Sequence, residues 1–195
     1  MQRAERADAA RNRQAIMDAA NVLFANSPSP SAVTMDDIAA AAGVGKGTLF
    51  RRFGSRTGLI RQLYARQLAP LRQRITSGPS PLGPSAPAGL RVPAIVAAIA
   101  ELKFQNMHLT AALEAAGGDE SDLYSSPGYR DVHGLLTGLL TPSLAPGRAA
   151  WTAHLLLAAV RADLLRHLVR DGGMTADQVR AQLRAFTGQI VSGLH

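Results

Sequence analysis

The chain has no cysteine in 195 residues. That excludes a disulfide framework and any thiolate metal site, and it is the usage expected in a reducing compartment. Aromatic residues make up only 5%. With no strand-like alternation and with Ala, Leu and Arg abundant, the composition favours helix over sheet. No apolar run approaches the roughly 18 residues a transmembrane helix needs, so no membrane partner is expected. The first residues, MQRAERADAARNRQ, are charged throughout and offer no apolar stretch for a secretion signal. The expected location is cytoplasmic.

One further absence is local. Between Val44 and Arg74 there is no acid, against eight basic residues: Lys46, Arg51, Arg52, Arg56, Arg61, Arg66, Arg72 and Arg74. Residues 1–75 hold 12 Lys and Arg against 5 Asp and Glu, and residues 76–195 hold 9 against 9. The whole net charge of +7 therefore sits in the N-terminal part, which points to a polyanionic partner for that part.

The 47% hydrophobic content is enough for a good core in one or two domains. Periodicity predicts an all-α fold of nine or ten helices. A first helix spans residues 8–25, with Ile16, Ala19, Ala20, Leu23 and Phe24 on one face, and ends at SPSPS. Thr34 is the expected N-cap of a second helix, with Asp37 in the acidic place of a capping box. Ile38, Ala41 and Ala42 are its expected buried face and Gly43 its stop. Val44 plugs the corner, and a third helix runs over 45–52. Ser55 caps a fourth that reaches Ile75.

Residues 76–89, TSGPSPLGPSAPAG, read as an extended connector. They divide a helix-turn-helix domain (1–54) and a linking helix (55–75) from a helical domain (90–195). Beyond them, helices are expected over 90–116 with a break near Asn106, over 129–140 and over 148–170. A last helix opens at Thr175, and GGDESD at 117–122 reads as a loop.

Two readings compete for TMDDIAAAAGVGKGTLFRRFGSR, residues 34–56. GVGKGT resembles the end of a nucleoside monophosphate kinase phosphate loop. That pattern needs a glycine where Ala40 stands and a buried strand upstream, whereas the upstream text is a capped alanine-rich helix. The kinase reading fails, and no other catalytic arrangement is legible, so no enzyme is expected.

The helix-turn-helix reading accounts for every residue. Gly43 permits the turn, and Leu49 and Phe53 pack inward. Lys46, Thr48 and Arg52 project toward DNA. Gly45 and Gly47 leave the start of the second helix bare, at a cost of about 1 kcal/mol of helix propensity each.

TMDDIAAAAGVGKGTLFRRFGSRTGLI resembles the DNA-binding domain of TetR-family transcriptional regulators, and the helical remainder is similar in length and layout. The resemblance implies three N-terminal helices on double-stranded DNA and a fourth linking them to a ligand-binding and dimerisation domain. It implies phosphate contacts for Thr34, Thr48, Arg52, Ser55 and Arg56, and base-edge contacts for Lys46 and Gly47. Lysine donates equally well to guanine or to phosphate, so both roles stay open for Lys46. The family's common tyrosine is Phe50 here, which removes a hydroxyl contact that Arg51 and Arg52 offset. Arg3 and Arg6 form either a minor-groove arm or a charged tail.

The resemblance also implies a ligand-responsive repressor binding a palindromic site as a homodimer. Its effector pocket would be walled by Phe104, Met107, His108, Leu135, Trp151, His154 and Leu155. The last two helices would form the dimer interface through Leu156, Val160, Leu164, Leu183, Phe186 and Ile190. The five histidines show no ligand spacing, so neither metal nor cofactor is expected. A helical small-molecule-binding module with incidental basic charge is the alternative.

Overall fold

The computed structural model describes residues 2–27, 29, 32–115 and 124–193. Among these, no strand occurs and ten helices are delimited. They are α1 (Gln2–Asn26), α2 (Met35–Ala41), α3 (Lys46–Phe53), α4 (Arg56–Ser77) and α5 (Ala88–Gln105), then α6 (Met107–Ala115), α7 (Pro127–Leu140), α8 (Pro146–Ala158), α9 (Ala162–Arg170) and α10 (Ala176–Ser192). The fold is all-α. No helix among the described residues is long and apolar enough to cross a membrane. The expected GGDESD loop lies outside the described residues.

Two compact units divide the chain: Met1–Gln67 with His108–Gly118, and Leu68–Met107 with Asp119–His195. The division falls inside α4 and not at residues 76–89.

In the first unit, Ile16, Phe24, Ile38, Leu49, Leu59, Ile60, Leu63 and Leu109 are fully buried and form the centre of one core. Thr34 caps α2. Its Oγ1 accepts from the Asp37 amide at 3.1 Å, and the Asp37 carboxylate accepts from the Thr34 amide at 2.9 Å and hydroxyl at 2.7 Å. Aspartate thus closes the capping box that glutamate usually closes. The buried face of α2 is Met35, Ile38 and Ala39, with Ala42 half-buried. Ala41, expected inside, is exposed, because it follows Met35 by six residues and falls off the three-and-four stripe.

The helix ends in a double cap. The Gly43 amide donates to Ala40 O at 3.1 Å and the Val44 amide to Ala39 O at 3.0 Å, with Gly43 at φ 64°. This is the Schellman arrangement, which an L side chain at Gly43 would strain.

In the second unit, α5 packs on α10; Val92, Ile95, Val96 and Ile99 of α5 and Val179, Leu183 and Val191 of α10 are buried. Residues 79–87, expected as an extended connector, are folded turns with Leu82 and Ala86 buried. Buried Arg91 holds them, donating from Nε to Leu82 O at 2.9 Å and from its terminal nitrogen to Ile75 O at 2.7 Å. The break at Asn106 is present: its amide donates to Leu102 O and Lys103 O, and its side chain to Leu102 O at 2.8 Å.

The expected single helix over 148–170 is two, α8 and α9, interrupted at residues 159–161. No glycine or proline marks the interruption. The Val160 carbonyl, which turns out of the ladder, accepts from Lys103 Nζ at 2.6 Å. Burial pushes the Lys103 pKa down to about 8, with the nearby Arg161 charge acting in the same direction.

Removing the α2 cap tests its weight. Thr34→Ala is expected to lower stability by about 1 kcal/mol in denaturant melts. Asp37 is held below the ordinary carboxylate range, first by the Thr34 hydroxyl and then by the Thr34 amide. Because its folded pKa is depressed, the stabilisation exists above the ordinary carboxylate pKa and is lost as pH falls through the folded value. Asp37→Asn should therefore flatten the acid limb of a stability-versus-pH curve while leaving its shape above pH 7 unchanged.

Candidate nucleic-acid interface

The ten residues predicted for DNA contact all lie in the first unit, between Thr34 and Arg56, but the structure sorts them into different jobs. Leu49 and Phe53 point into the core and fix the roll of α3. Lys46, Gly47, Phe50 and Arg51 consequently stand exposed, while Thr48 and Arg52 are half-buried. Thr48 and Arg52, four residues apart, share one face. Phe50 is 40% exposed, so its ring supplies a surface and no hydrogen bond.

Gly45 is the N-cap of α3 at φ −70°, and Gly47 is inside its first turn. A Cβ built on either would meet no atom within 4 Å. Nothing inside the molecule requires glycine at these two positions. Gly58 is the opposite case: a Cβ there would lie 2.3 Å from the Phe53 carbonyl oxygen. That close approach, at the third position of α4, is legible in the sequence only as a glycine in an otherwise good helix.

Lys46 Nζ pairs with the Asp36 carboxylate at 2.8 Å, and both side chains are well exposed. Such a pair contributes between zero and about 1 kcal/mol and exchanges readily for another anion. The Ser55 hydroxyl accepts from the Gly58 amide at 3.0 Å and caps α4, leaving its proton to donate elsewhere. The Thr34 hydroxyl proton is engaged by Asp37.

Arg56 departs from expectation. Its Nε donates to Val33 O at 2.8 Å, a terminal nitrogen donates to Ala112 O at 3.4 Å, and its guanidinium carbon lies 5.3 Å from the centre of the Phe24 ring. Burial lowers its pKa. The guanidinium predicted to meet phosphate is turned inward, tying α1, the lead into α2, α4 and α6 together within the first unit. Sequence reasoning missed this because its acceptors lie 23 and 56 residues away.

The predicted effector and dimer residues fare unevenly. Phe104, Met107, His108 and Leu135 are half-buried. Trp151, His154 and Leu155 are exposed, which is the reverse of what a pocket wall requires. His108 keeps Nε2 buried without a hydrogen-bond partner, and burial lowers its pKa. Leu156, Val160 and Leu183, predicted for a dimer interface, are buried inside their own unit and cannot reach a second copy. Leu164 and Phe186 are exposed, at 39% and 43%, and Ile190 is half-buried.

A ring cluster on α7 and α8 also escaped the sequence reading. Tyr129 Oη lies 2.6 Å from His154 Nδ1, and the His133 and His154 rings are 3.9 Å apart. Burial, and then the neighbouring His133, hold His154 below the ordinary imidazole range. Among the described residues, no three His, Cys, Asp or Glu side chains come together to hold a metal ion.

A capped helix, a glycine corner and a second helix rolled to expose its polar side define a helix-turn-helix protein. Residues 16–63 match the model for bacterial regulatory proteins of the tetR family. The match covers the helix-turn-helix part of the chain, which is thus similar to the DNA-binding part of that family's regulators.

Over 53 residues it is 47% identical to the HTH-type transcriptional repressor LfrR of Mycolicibacterium smegmatis. That match spans 27% of this chain and about a quarter (26%) of the relative's own length. Over nearly the whole chain the likeness is one of fold. A TetR-family transcriptional regulator from Rhodococcus superposes with TM-score 0.66 at 19% identity, covering 93% of this chain and 98% of its own. NalD of Pseudomonas aeruginosa, the secondary repressor of the MexAB-OprM multidrug efflux pump, superposes with TM-score 0.60 at 20% identity, covering 92% and 95%.

The inward role of Arg56 separates it from the surface cations. Arg56→Lys keeps the charge but cannot serve two carbonyls and a ring at once. It is expected to lower stability by roughly 1–2 kcal/mol, since bonds from a charged donor contribute about 1.5–3 kcal/mol in total. Arg51→Lys, on the exposed side of α3, should leave the melting curve within about 0.5 kcal/mol.

Proposed function

We propose that this protein is a sequence-specific DNA-binding repressor that acts as a homodimer on a palindromic site and releases it when a small molecule binds. The observation that carries the DNA reading is the pair of glycines at the start of α3. Gly47, inside the first turn, costs about 1 kcal/mol of helix propensity, Gly45 stands at the N-cap, where glycine is well accepted, and neither is required by backbone angle or by neighbouring atoms. A bare helix start that serves nothing inside the chain serves close approach from outside. The surrounding charge has the matching sign, with no acid from Val44 to Arg74.

In this reading Lys46 leaves Asp36 for a base edge or a phosphate, and Thr48, Arg51, Arg52 and Ser55 take phosphates. Two-fold symmetry would set two such helices about 34–36 Å apart, one turn of duplex. The exposed apolar residues Trp151, Leu155, Leu164 and Phe186 are the surface that supports association of two copies, replacing the buried residues first expected there. Release by an effector requires that it bind the DNA-free state more tightly than the DNA-competent one. The half-buried Phe104 and Leu135 remain the support for a pocket in the second unit.

Titrating salt against binding to the DNA upstream of the coding sequence tests the reading. A steep fall of affinity with salt is expected, with a preference over scrambled duplex that survives physiological ionic strength. Absence of any preference would leave only the helical binding module. Gly47→Ala should raise stability by about 0.5–1 kcal/mol and yet weaken DNA binding, because the added methyl lies where the duplex approaches. A gain in both properties would show that α3 does not meet DNA at its start. Lys46→Ala is expected to change sequence preference, whereas Thr48→Ala and Arg52→Ala weaken all duplexes alike.

A further inference from the structure

Lys46 Nζ stands 2.8 Å from both oxygens of Asp36, Oδ1 and Oδ2, and both side chains are well exposed. Lys46 is the first residue of α3, and Asp36 lies in the first turn of α2. The capping box of α2 runs through Thr34 and Asp37 and makes no use of Asp36. The ion pair is therefore a contact between the two helices of the motif. It sits at the end of α3 that a helix-turn-helix turns toward base edges.

A duplex that takes Lys46 from this position meets the Asp36 carboxylate one hydrogen-bond length away. A phosphate offers acceptors alone. It can take the lysine, but it leaves Asp36 unpaired beside a polyanion, so the exchange gains little. The major-groove edge of a G·C pair offers more. Guanine presents two acceptors, N7 and O6, and its cytosine presents the N4 amino donor next to them. Lysine donates to the first set and aspartate accepts from the second, so both charges keep a partner when the ion pair opens. In an A·T pair the N6 donor separates the acceptors N7 and O4, and the lysine finds only one at a time.

We propose that Lys46 and Asp36 form one reading unit that opens onto a single G·C pair, Lys46 donating to guanine and Asp36 accepting from cytosine N4. The assignment rests on the DNA-binding reading above and makes Asp36 a specificity-determining residue within it. It also places Lys46 on the base edge and not on a phosphate. The carboxylate is what excludes the phosphate, because only a partner with donor and acceptor side by side satisfies both groups.

Single base-pair replacements along the upstream duplex test the unit. In the unsubstituted protein, exchanging one particular G·C pair for A·T is expected to weaken binding about tenfold. Lys46→Ala should lose that preference. Asp36→Asn exchanges the carboxylate for an amide, which pairs with adenine N6 and N7, and should move the preference at the same position toward A·T. Asp36→Ala frees Lys46 for phosphates. It should tighten binding to scrambled duplex by up to about fivefold and steepen the slope of log K against log salt there by about 0.9. The preference for the G·C pair should shrink at the same time. Both Asp36 variants should keep the melting temperature, since the side chain is exposed and outside the cap.

An Asp36→Ala protein that gains equally on upstream and scrambled duplexes, with every base preference kept, has lost only a repulsive charge. That result overturns the reading unit. Base preferences left unchanged by Lys46→Ala put the lysine on a phosphate and overturn it as well. In both cases the upstream duplex is still preferred and the DNA reading stands. Failure of the unsubstituted protein to prefer the upstream duplex overturns both.

Discussion

Two backbone hydrogen bonds at the end of α2 govern what the rest of the first unit can do. Gly43 donates to Ala40 O and Val44 to Ala39 O, with Gly43 held at φ 64°. These bonds satisfy carbonyls that a helix end would leave open and turn the chain sharply. Val44 then falls against the core, and α3 starts at Lys46 with its roll already decided. Leu49 and Phe53 go inward, and the polar residues between them have only the outside left. A left-handed backbone costs an ordinary L residue about 1–2 kcal/mol. The corner is thus specified by a single glycine, and the exposed face of α3 follows from it.

Charge is the second organising constraint, and its regional total conceals different uses. The cations from Val44 to Arg74 are one class by composition but not by partner. Arg56 serves two carbonyls and a ring inside the core. Arg66 reaches Asp18 and Arg72 reaches Asp131, each at 2.8 Å. Lys46 holds Asp36 in an exposed pair that costs little to break. The Arg72 pair is exposed on both sides as well, so Lys46 and Arg72 can exchange partners without dismantling the fold, whereas Arg56 cannot. A count of basic residues identifies a polyanion surface; the partners of each identify which cations belong to it.

Legibility in the sequence follows the range of the interaction. Features closed within three or four residues were readable: the Thr34–Asp37 box, the Thr175 cap, the Asn106 break and the inward pair Leu49 and Phe53. Features closed at long range were not. The split between α8 and α9 carries no breaker, and the Val160 carbonyl it frees meets a lysine 57 residues upstream. The prolines of 79–87 suggested an extended linker, but Arg91 folds that segment back through two carbonyls. Leu156, Val160 and Leu183 looked like surplus apolar surface because periodicity cannot say whether a stripe meets its own chain or another. The cluster of Tyr129, His133 and His154 depends on two helices meeting, which no single-helix spacing encodes.

Glycine shows the same limit most sharply. By sequence, Gly45, Gly47 and Gly58 are three glycines in helix-forming text within fourteen residues. Gly58 is there because a methyl would strike the Phe53 carbonyl, so its reason lies inside the molecule. Gly47 has empty space beside it and no internal reason, whereas Gly45, equally uncrowded, stands at the N-cap, a position that accepts glycine. Propensity penalises an interior glycine whatever the reason for its presence. Once internal packing is accounted for, the unrepaid penalty falls at the end of α3 that also bears Lys46 and faces away from the core. A stability cost without a structural return marks where the molecule meets something else, and here it falls on an exposed helix start within the stretch from Val44 to Arg74 that holds no acid.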